Sequence, residues 1–503
     1  MERLSDRHEG DLDGRLHPID HVDEVAVAVV VAPETAQLSE TQHTAWMLIN
    51  LLARAQRVVH QVKVSCPTDV ALTGRIVPLA PRDVELAEAL VSGGEAVGAV
   101  PVTPGSPGRD DVVLIVGATR LDGVPGRHVR GRGWWGGVGD SPIELTGAPN
   151  DLPFGPYVAA ALAAAEVFLD VRLPAAAERR PTFYGWDCWK SALVAHPGEL
   201  TPADLRKVDL SGTALAGVGA VGAAWVHTIW ATPGLIGDVT LADADAKGIT
   251  TSNLNRCALF GHAGLDQPKA DEAARLTADS TVTWRPHHSR LEELPDLPTL
   301  LVSAVDTNRA REALQHRYPP RILSGSTRDL RAEILCIGPP GVGACLRCYN
   351  KPESFTGDDE LRARTRTGGP DAIAALAKTA SVPTAEVADW VEQGSCDEVG
   401  ARLLRTLRAA EQGREPPRFA VGFTSVMAGV LLAAETIKTL IGTPLTSDSP
   451  RSNNVTFQFF APASNINGAE HRARDLSCAA CAPTNPATAV WRRRFDGKGG
   501  GPR

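Results

Sequence analysis

The feature that most constrains the fold lies between Thr213 and Lys269. Thr213-Ala-Leu-Ala is a short run of small apolar residues, Gly217-Val-Gly219-Ala-Val-Gly222 follows without a break, and Ala223-Ala-Trp-Val-His-Thr-Ile-Trp230 continues as a helical segment. Strand, glycine turn and helix in that order form a dinucleotide-type fingerprint. The glycines let backbone approach a phosphate, and the N–H groups and positive dipole end of the following helix receive its charge. The turn alone discriminates little, because similar turns also serve as plain connections.

The next strand, Asp238-Val-Thr-Leu-Ala242, ends in Asp243 and Asp245. They fall about twenty residues past the glycines, where an acid accepts hydrogen bonds from a ribose hydroxyl. NAD and ATP satisfy that much equally. Arg256 in Asn253-Leu-Asn-Arg256, and Lys269, separate them. A hydride transfer has no use for two cations over a terminal phosphate, whereas in nucleotidyl transfer charge builds on the phosphate oxygens and on departing pyrophosphate. Leu300-Leu-Val-Ser-Ala-Val305 then delivers Asp306 at the carboxyl end of a strand, the edge where open α/β sheets bind ligands. A carboxylate there can hold Mg2+ against ATP. The plainer reading of Asp306 is a cap on the helix that starts near Asn308, and the two roles are compatible.

In order along the chain, Gly217-x-Gly219-x-x-Gly222, Asp243-x-Asp245, Ser252-Asn-Leu-Asn-Arg256, Gln267-Pro-Lys269 and Val305-Asp306 resemble the ThiF, MoeB and ubiquitin-activating enzyme family, including its bacterial ubiquitin-like members. The resemblance covers residues 200–482. It implies a nucleotide site built from Gly217, Gly219, Gly222, Asp243, Asp245, Asn253, Arg256, Lys269 and Asp306, with Arg256 and Lys269 on phosphates, Asp243 on the ribose and Asp306 on magnesium. Two departures stand out. Cys257 replaces the glutamine usual after that arginine, and two extra residues lie between Asp245 and Asn253.

Nine cysteines are present, and four of them form Cys345-Leu-Arg-Cys348 and Cys478-Ala-Ala-Cys481. Two such pairs read as a four-thiolate Zn2+ site that ties the body to the C-terminal region; disulfides or unrelated thiols are the competing reading. A closed four-sulfur site leaves no open position for catalysis. Of the others, Cys396 in Gln393-Gly-Ser-Cys396-Asp-Glu is the candidate nucleophile, being in a polar stretch between helical segments. Its acidic neighbours count against it, since negative charge raises a thiol pKa. In thiol-using members of the resembled family, the reactive cysteine lies between the first Cys-x-x-Cys pair and the late apolar helix, which is where Cys396 falls. Cys257 and Cys188 are lesser candidates, Cys188 reading as a packing residue.

At 503 residues the chain exceeds one ordinary domain. A net charge of -8 gives no footprint for nucleic acid. The N-terminus lacks the apolar core of a signal peptide, and the uncharged run from Phe419 to Ala434 is short of the ~20 residues needed to span a bilayer. These features predict a cytoplasmic protein with no membrane partner, and a reducing compartment suits zinc thiolates.

The first half carries its own alternation of strands and helices. Glu24–Ala32, Val58–Val64 and Asp111–Gly117 read as strands; Thr44–Ala53 and Val84–Leu90 read as helices. No glycine fingerprint follows any of these strands. Gly131–Gly139, with Trp134-Trp135, reads as a loop. The helix around Ala159 ends Ala-Ala-Glu166 and the helix around Ala428 ends Ala-Ala-Glu435, an echo that suggests internal duplication, although an alanine-rich chain produces such echoes by helix propensity too.

The expected fold class is α/β: a Rossmann-like ThiF-type adenylation fold with a preceding degenerate α/β half and a four-cysteine zinc site. The expected organisation is a disordered tail at 1–23, an inactive adenylation-like domain at 24–195, the ATP-binding domain at 196–482 with an insertion near 350–415 that holds the candidate thiol, and a flexible tail at 483–503. The resemblance implies ATP-dependent adenylation of the C-terminal carboxylate of a small ubiquitin-like or sulfur-carrier protein ending in glycine. Thioester formation follows, with a conjugating enzyme or sulfur acceptor downstream and a homodimer or intrachain pseudo-dimer as the assembly. An NAD-dependent oxidoreductase with a structural zinc and a non-catalytic scaffold of the same fold are the alternatives.

Overall fold

A computed structural model describes residues 8–9, 12, 14–118, 125–177, 180–194, 205, 207–350, 358–380, 382–393, 419–443 and 452–497. Two sheets carry the main body. The first contains β1 (Val25–Val31), β2 (Val59–Ser65), β3 (Val102–Pro104), β4 (Val112–Val116), β5 (Arg127–Arg132), β6 (Trp135–Gly139), β7 (Phe183–Asp187) and β8 (Ala192–Leu193). The second contains β9 (Val208–Asp209), β10 (Thr213–Ala216), β11 (Leu235–Ala242), β12 (Val282–His287), β13 (Leu300–Ser303), β14 (Arg321–Arg328), β15 (Arg331–Ile337), β16 (Asn454–Gln458) and β17 (Gly468–Glu470).

The two sheets repeat one topology. The first runs β3-β2-β1-β4-β5-β6-β7-β8 and the second β12-β11-β10-β13-β14-β15-β16-β17, with β9 pairing β11 off the path. In each, the first five strands are parallel and the later pairings antiparallel. The all-apolar sequence of β1 and the small residues of β10 follow from parallel strands being covered on both faces.

Helices repeat as well. Ser39–Leu52 follows β1 and Ala220–Ala231 follows β10; Phe154–Arg172 joins β6 to β7 and Gly422–Leu440 joins β15 to β16. These four pack together between the sheets. Phe154–Arg172 is buried at every residue but Asp170, as expected of a helix that is apolar all round. It and Gly422–Leu440 are long and apolar enough to cross a membrane, but here they are core helices, each 89% buried over its most apolar window. A Cβ at Gly429 would lie 2.5 Å from the Ala224 side chain, so glycine is what lets the second pair approach this closely.

Several expectations need correction. Gly131–Gly139 is the β5–β6 hairpin rather than a loop, with Trp134 and Trp135 buried. Its glycines answer to packing: a Cβ at Gly131 or Gly136 would come within 2.3 or 2.0 Å of the Gly155 backbone. The described part of the N-terminal stretch is packed: Leu12, Leu16 and Ile19 are buried, and Arg172 donates to the carbonyls of His8, Glu9 and His17. At the other end, Pro486–Asp496 is a helix with Trp491 buried beside Tyr318, so the flexible tail proposed from residue 483 does not hold through Asp496. An asparagine cap, Asn485 Oδ1 to the Ala487 N–H at 2.9 Å, starts it.

Asn350–Arg418 separates as a second compact unit. Its described part is the helices Asp358–Ala380 and Thr384–Gln393, which share a small core of Leu376, Ala377, Val387 and Trp390. Gly369, at φ 64, and Pro370 kink the first of them.

Candidate nucleotide site and cysteine cluster

The glycine turn lies where β10 ends. Gly217 has φ +87, a conformation that favours glycine, and its N–H donates to Ala242 O at 2.8 Å. Gly222 is held to glycine for another reason: a Cβ there would lie 2.0 Å from Gly217 O, so the Ala220–Ala231 helix can press on the turn only without a side chain. At Gly219, the N-cap, a Cβ would meet nothing within 4 Å among the described residues. The turn is thus closed behind and open in front.

Asp243 ties the turn to the end of β11. Its Oδ2 accepts the Val218 N–H at 2.7 Å and its Oδ1 the Asp245 N–H at 2.9 Å. Asp245 in turn pairs with Lys269, the first residue of the Lys269–Leu276 helix. Burial pushes the Asp245 carboxyl up, but the Lys269 ammonium together with the Lys247 N–H and charge holds the group below its usual range. Asn253 completes a capping box with Thr250, accepting the Thr250 N–H at 2.8 Å. Three residues on, Arg256 is half-buried.

Cys257 follows Arg256 directly. Its thiol is fully buried and pushed up by that burial, against the opposing fields of Arg256, Arg54 and Lys269. The segments that carry Arg256 and Lys269 are tied together although separate in sequence: Ile249 N–H donates to Gln267 O at 2.9 Å, and Asp266 N–H donates to Ile249 O at 2.9 Å. Asp306 is exposed just beyond β13, where Ala304 donates to Ala216 O at 2.8 Å across the carboxyl edge of the sheet. The cap of the Asn308–His316 helix is Thr307, whose Oγ1 accepts the Ala310 N–H at 3.2 Å, so the capping role considered for Asp306 belongs to its neighbour.

Cys345, Cys348, Cys478 and Cys481 form the other cluster, their sulfurs all within 4.8 Å of one another. Cys345 and Cys478 are 3.7 Å apart and Cys348 and Cys481 3.8 Å. A tetrahedral zinc with sulfurs at about 2.3 Å has edges of about 3.8 Å, whereas a disulfide needs about 2.05 Å. The donor set therefore fits a four-thiolate metal site and not two disulfides.

Cys396 lies outside the described residues. Cys188 and Cys257 are buried, and burial raises both thiols. Burial also raises Cys66, to about 12, and Cys336. Outside the four-cysteine cluster, every described cysteine thus has its thiolate disfavoured.

Two buried groups of the first half escaped the sequence reading. Arg54 and Asn50 reach into the Leu254–Phe260 loop, and Glu40 makes a bidentate pair with Arg132 at 2.6–2.9 Å. Asn50 and Arg54 interrupt an apolar helix end one turn apart, which is the signal that could have found them.

The ThiF family model matches residues 194–480. The chain belongs to the ThiF family. Residues 26–185 match the model of the BilD N-terminal domain, so the first half of this ThiF protein is similar to that domain. No curated protein matches the chain. Solved structures that resemble it include Escherichia coli MccB with ATP, at 13% identity over 54% of this chain and 65% of MccB, with a TM-score of 0.35. MccB alone shows 14% identity over 56% and 66%, with a TM-score of 0.36. The microcin C7 biosynthetic enzyme MccB in complex with N-formylated MccA shows 13% over 54% and 67%, with a TM-score of 0.35. The ThiF protein thus spans just under two thirds of the MccB–ATP chain, and likenesses this loose add nothing to its family assignment.

Proposed function

We propose that the protein adenylates the C-terminal carboxylate of a small ubiquitin-like or sulfur-carrier protein. The carboxylate oxygen attacks the α-phosphorus of ATP, the bond from that phosphorus to the bridging oxygen breaks, and an acyl-adenylate and pyrophosphate result. The observation that carries this reading is the backbone tie between the Arg256 and Lys269 segments, with Lys269 paired to Asp245 beside a glycine turn that is open in front. Those cations would offset charge developing on the phosphates, Asp245 would orient Lys269, and the Ala220–Ala231 helix would present its N-terminus. Asp306 would hold Mg2+, which when bound neutralises phosphate charge. Asp243, with both oxygens engaged by backbone N–H groups, keeps lone pairs for a ribose hydroxyl while fixing the turn.

The thiol step is assigned to Cys396: its sulfur attacks the acyl carbon and AMP leaves. Burial of Cys188 and Cys257 favours that assignment over either of them. The four-cysteine cluster would hold structural Zn2+. The first half is read as the degenerate member of a duplicated pair, forming an intrachain pseudo-dimer. Where the second half has its glycine turn, the first has Ala32-Pro33, and proline removes an N–H donor. Glu40 places a carboxylate in the first turn of the next helix and pairs with buried Arg132, occupying the charge position a phosphate would take.

The test is exchange of labelled pyrophosphate into ATP, dependent on an added small carrier protein ending in Gly-Gly. Exchange is expected in the wild type and lost in Asp306→Ala; unchanged exchange in that variant sinks the mechanism. Binding of NADH in place of MgATP would turn the reading to an oxidoreductase. For Cys396, the expected product is a reductant-sensitive adduct with the carrier that disappears in Cys396→Ala.

A further inference from the structure

The loop that carries Arg256 is held from behind by the other half of the molecule. Arg54, just beyond the Ser39–Leu52 helix, is 1% exposed. Its Nε donates to Asn50 Oδ1 at 2.8 Å, and its two terminal nitrogens donate to Leu254 O and to Phe260 O, the latter at 2.7 Å. Asn50 Nδ2 donates to Ala258 O at 2.7 Å. The three accepting carbonyls bracket Arg256, two of them after it and one before.

This arrangement is costly. The hydrogen-bond acceptors of the Arg54 guanidinium are neutral oxygens, and burial lowers its pKa to about 10. A buried cation without a carboxylate is an expensive way to fill a helix end that an apolar residue could fill. What the guanidinium supplies is geometry: a rigid fork that spans carbonyls at both ends of one loop, which a point-charge ammonium cannot do. The loop's carbonyls have these side chains as partners, so the loop conformation depends on them.

We propose that Arg54 and Asn50 are positioning residues that fix the Leu254–Phe260 loop and so aim the Arg256 guanidinium, making the first half a working part of the second half's nucleotide site. The inference rests on the reading of Arg256 as a phosphate contact, and two measurements on the full chain keep the two ideas apart. The first is iodoacetamide labelling of Cys257, which lies inside the loop, with buried Cys188 as an internal control for global loosening. Arg54→Lys and the milder Asn50→Ala should each speed Cys257 labelling at least tenfold and leave Cys188 unchanged. The second is MgATP affinity in a double-mutant cycle: Arg54→Lys should weaken binding at least tenfold, and that loss should vanish when Arg256→Ala is already present.

Equal acceleration at Cys188, no acceleration at Cys257, or the same loss of affinity with and without Arg256 would each overturn the proposal. A wild type that binds no MgATP would sink the adenylation reading instead, and Cys257 labelling would still decide whether the first half sets the loop.

Discussion

Alanine substitution at Gly217, Gly219 and Gly222 separates a phosphate-binding turn from a plain connection. At Gly219, φ -75 and ψ -155 suit any residue and a Cβ meets nothing within 4 Å among the described residues. Gly219→Ala should therefore change stability by less than about 1 kcal/mol. The same methyl group would lie in front of the turn, between a phosphate and the N–H groups that receive it. Affinity for MgATP should fall at least about tenfold, which is about 1.4 kcal/mol.

Gly217→Ala carries the opposite balance, because φ +87 costs an alanine about 1–2 kcal/mol. Its Cβ would also lie 3.0 Å from Ala304 O. Gly222→Ala places a Cβ 2.0 Å from Gly217 O, so the turn or the helix must move. A displacement of about 1 Å is enough to lower activity about 10²-fold. Calorimetric titration with MgATP, run beside thermal unfolding, reads both quantities for each variant. A Gly219→Ala protein that binds MgATP like the wild type, or that loses as much stability as Gly217→Ala, refutes the phosphate reading of the turn.

Cys478→Ser should reduce bound zinc from one ion per chain to none by elemental analysis and shift the emission of Trp491, which is buried in the same cluster; retained zinc contradicts the four-thiolate site. Glu40→Ala strands the buried Arg132 guanidinium and should cost about 3–5 kcal/mol in urea unfolding, with most of it recovered in Glu40→Ala, Arg132→Met. His43 and His227 are buried neutral with pKa values lowered to about 3, chiefly by burial. Their unfolded forms protonate first, so stability is fully present above pH ~6.5 and falls as pH drops towards 3, by about 2 kcal/mol per histidine at pH 5. Thermal midpoints from pH 7 to pH 5 check this, and His227→Gln should flatten the slope.

The placement of most candidate nucleotide-site residues was legible because its signals are local. Gly217, Asp243 and Asp306 each follow a short apolar strand, and chain order alone places them on one edge of a parallel sheet. The first-half strands were legible as apolar runs for the same reason. What misled was sequence whose meaning is set by distant partners. Gly131 and Gly136 resemble loop residues until the Gly155 backbone is pressed against them. Leu12, Leu16 and Trp491 are sparse in polar tails, and their burial depends on Arg172 and Tyr318 far along the chain. Arg54 lies two hundred residues before the carbonyl it holds.

The echo of Ala-Ala-Glu166 in Ala-Ala-Glu435 now has a structural setting, since both lie in helices that join the same pair of strands in the two sheets. Their partners differ. Glu166 binds Arg127 on β5 of its own half, whereas Glu435 binds Lys438 and accepts Ser191 Oγ–H from the other half at 3.3 Å. Two arginines of the first half also cross the seam. Arg54 of the first half grips a loop of the second, and Arg75 of the first half donates to Trp230 O and Thr232 O at the end of the second half's Ala220–Ala231 helix. Of these two arginines, Arg54 is the one that touches the loop that carries Arg256. On the proposed reading, the half without a glycine turn supports the half that has one. Arg75→Ala should then loosen the seam without speeding Cys257 labelling, whereas Arg54→Lys should speed it.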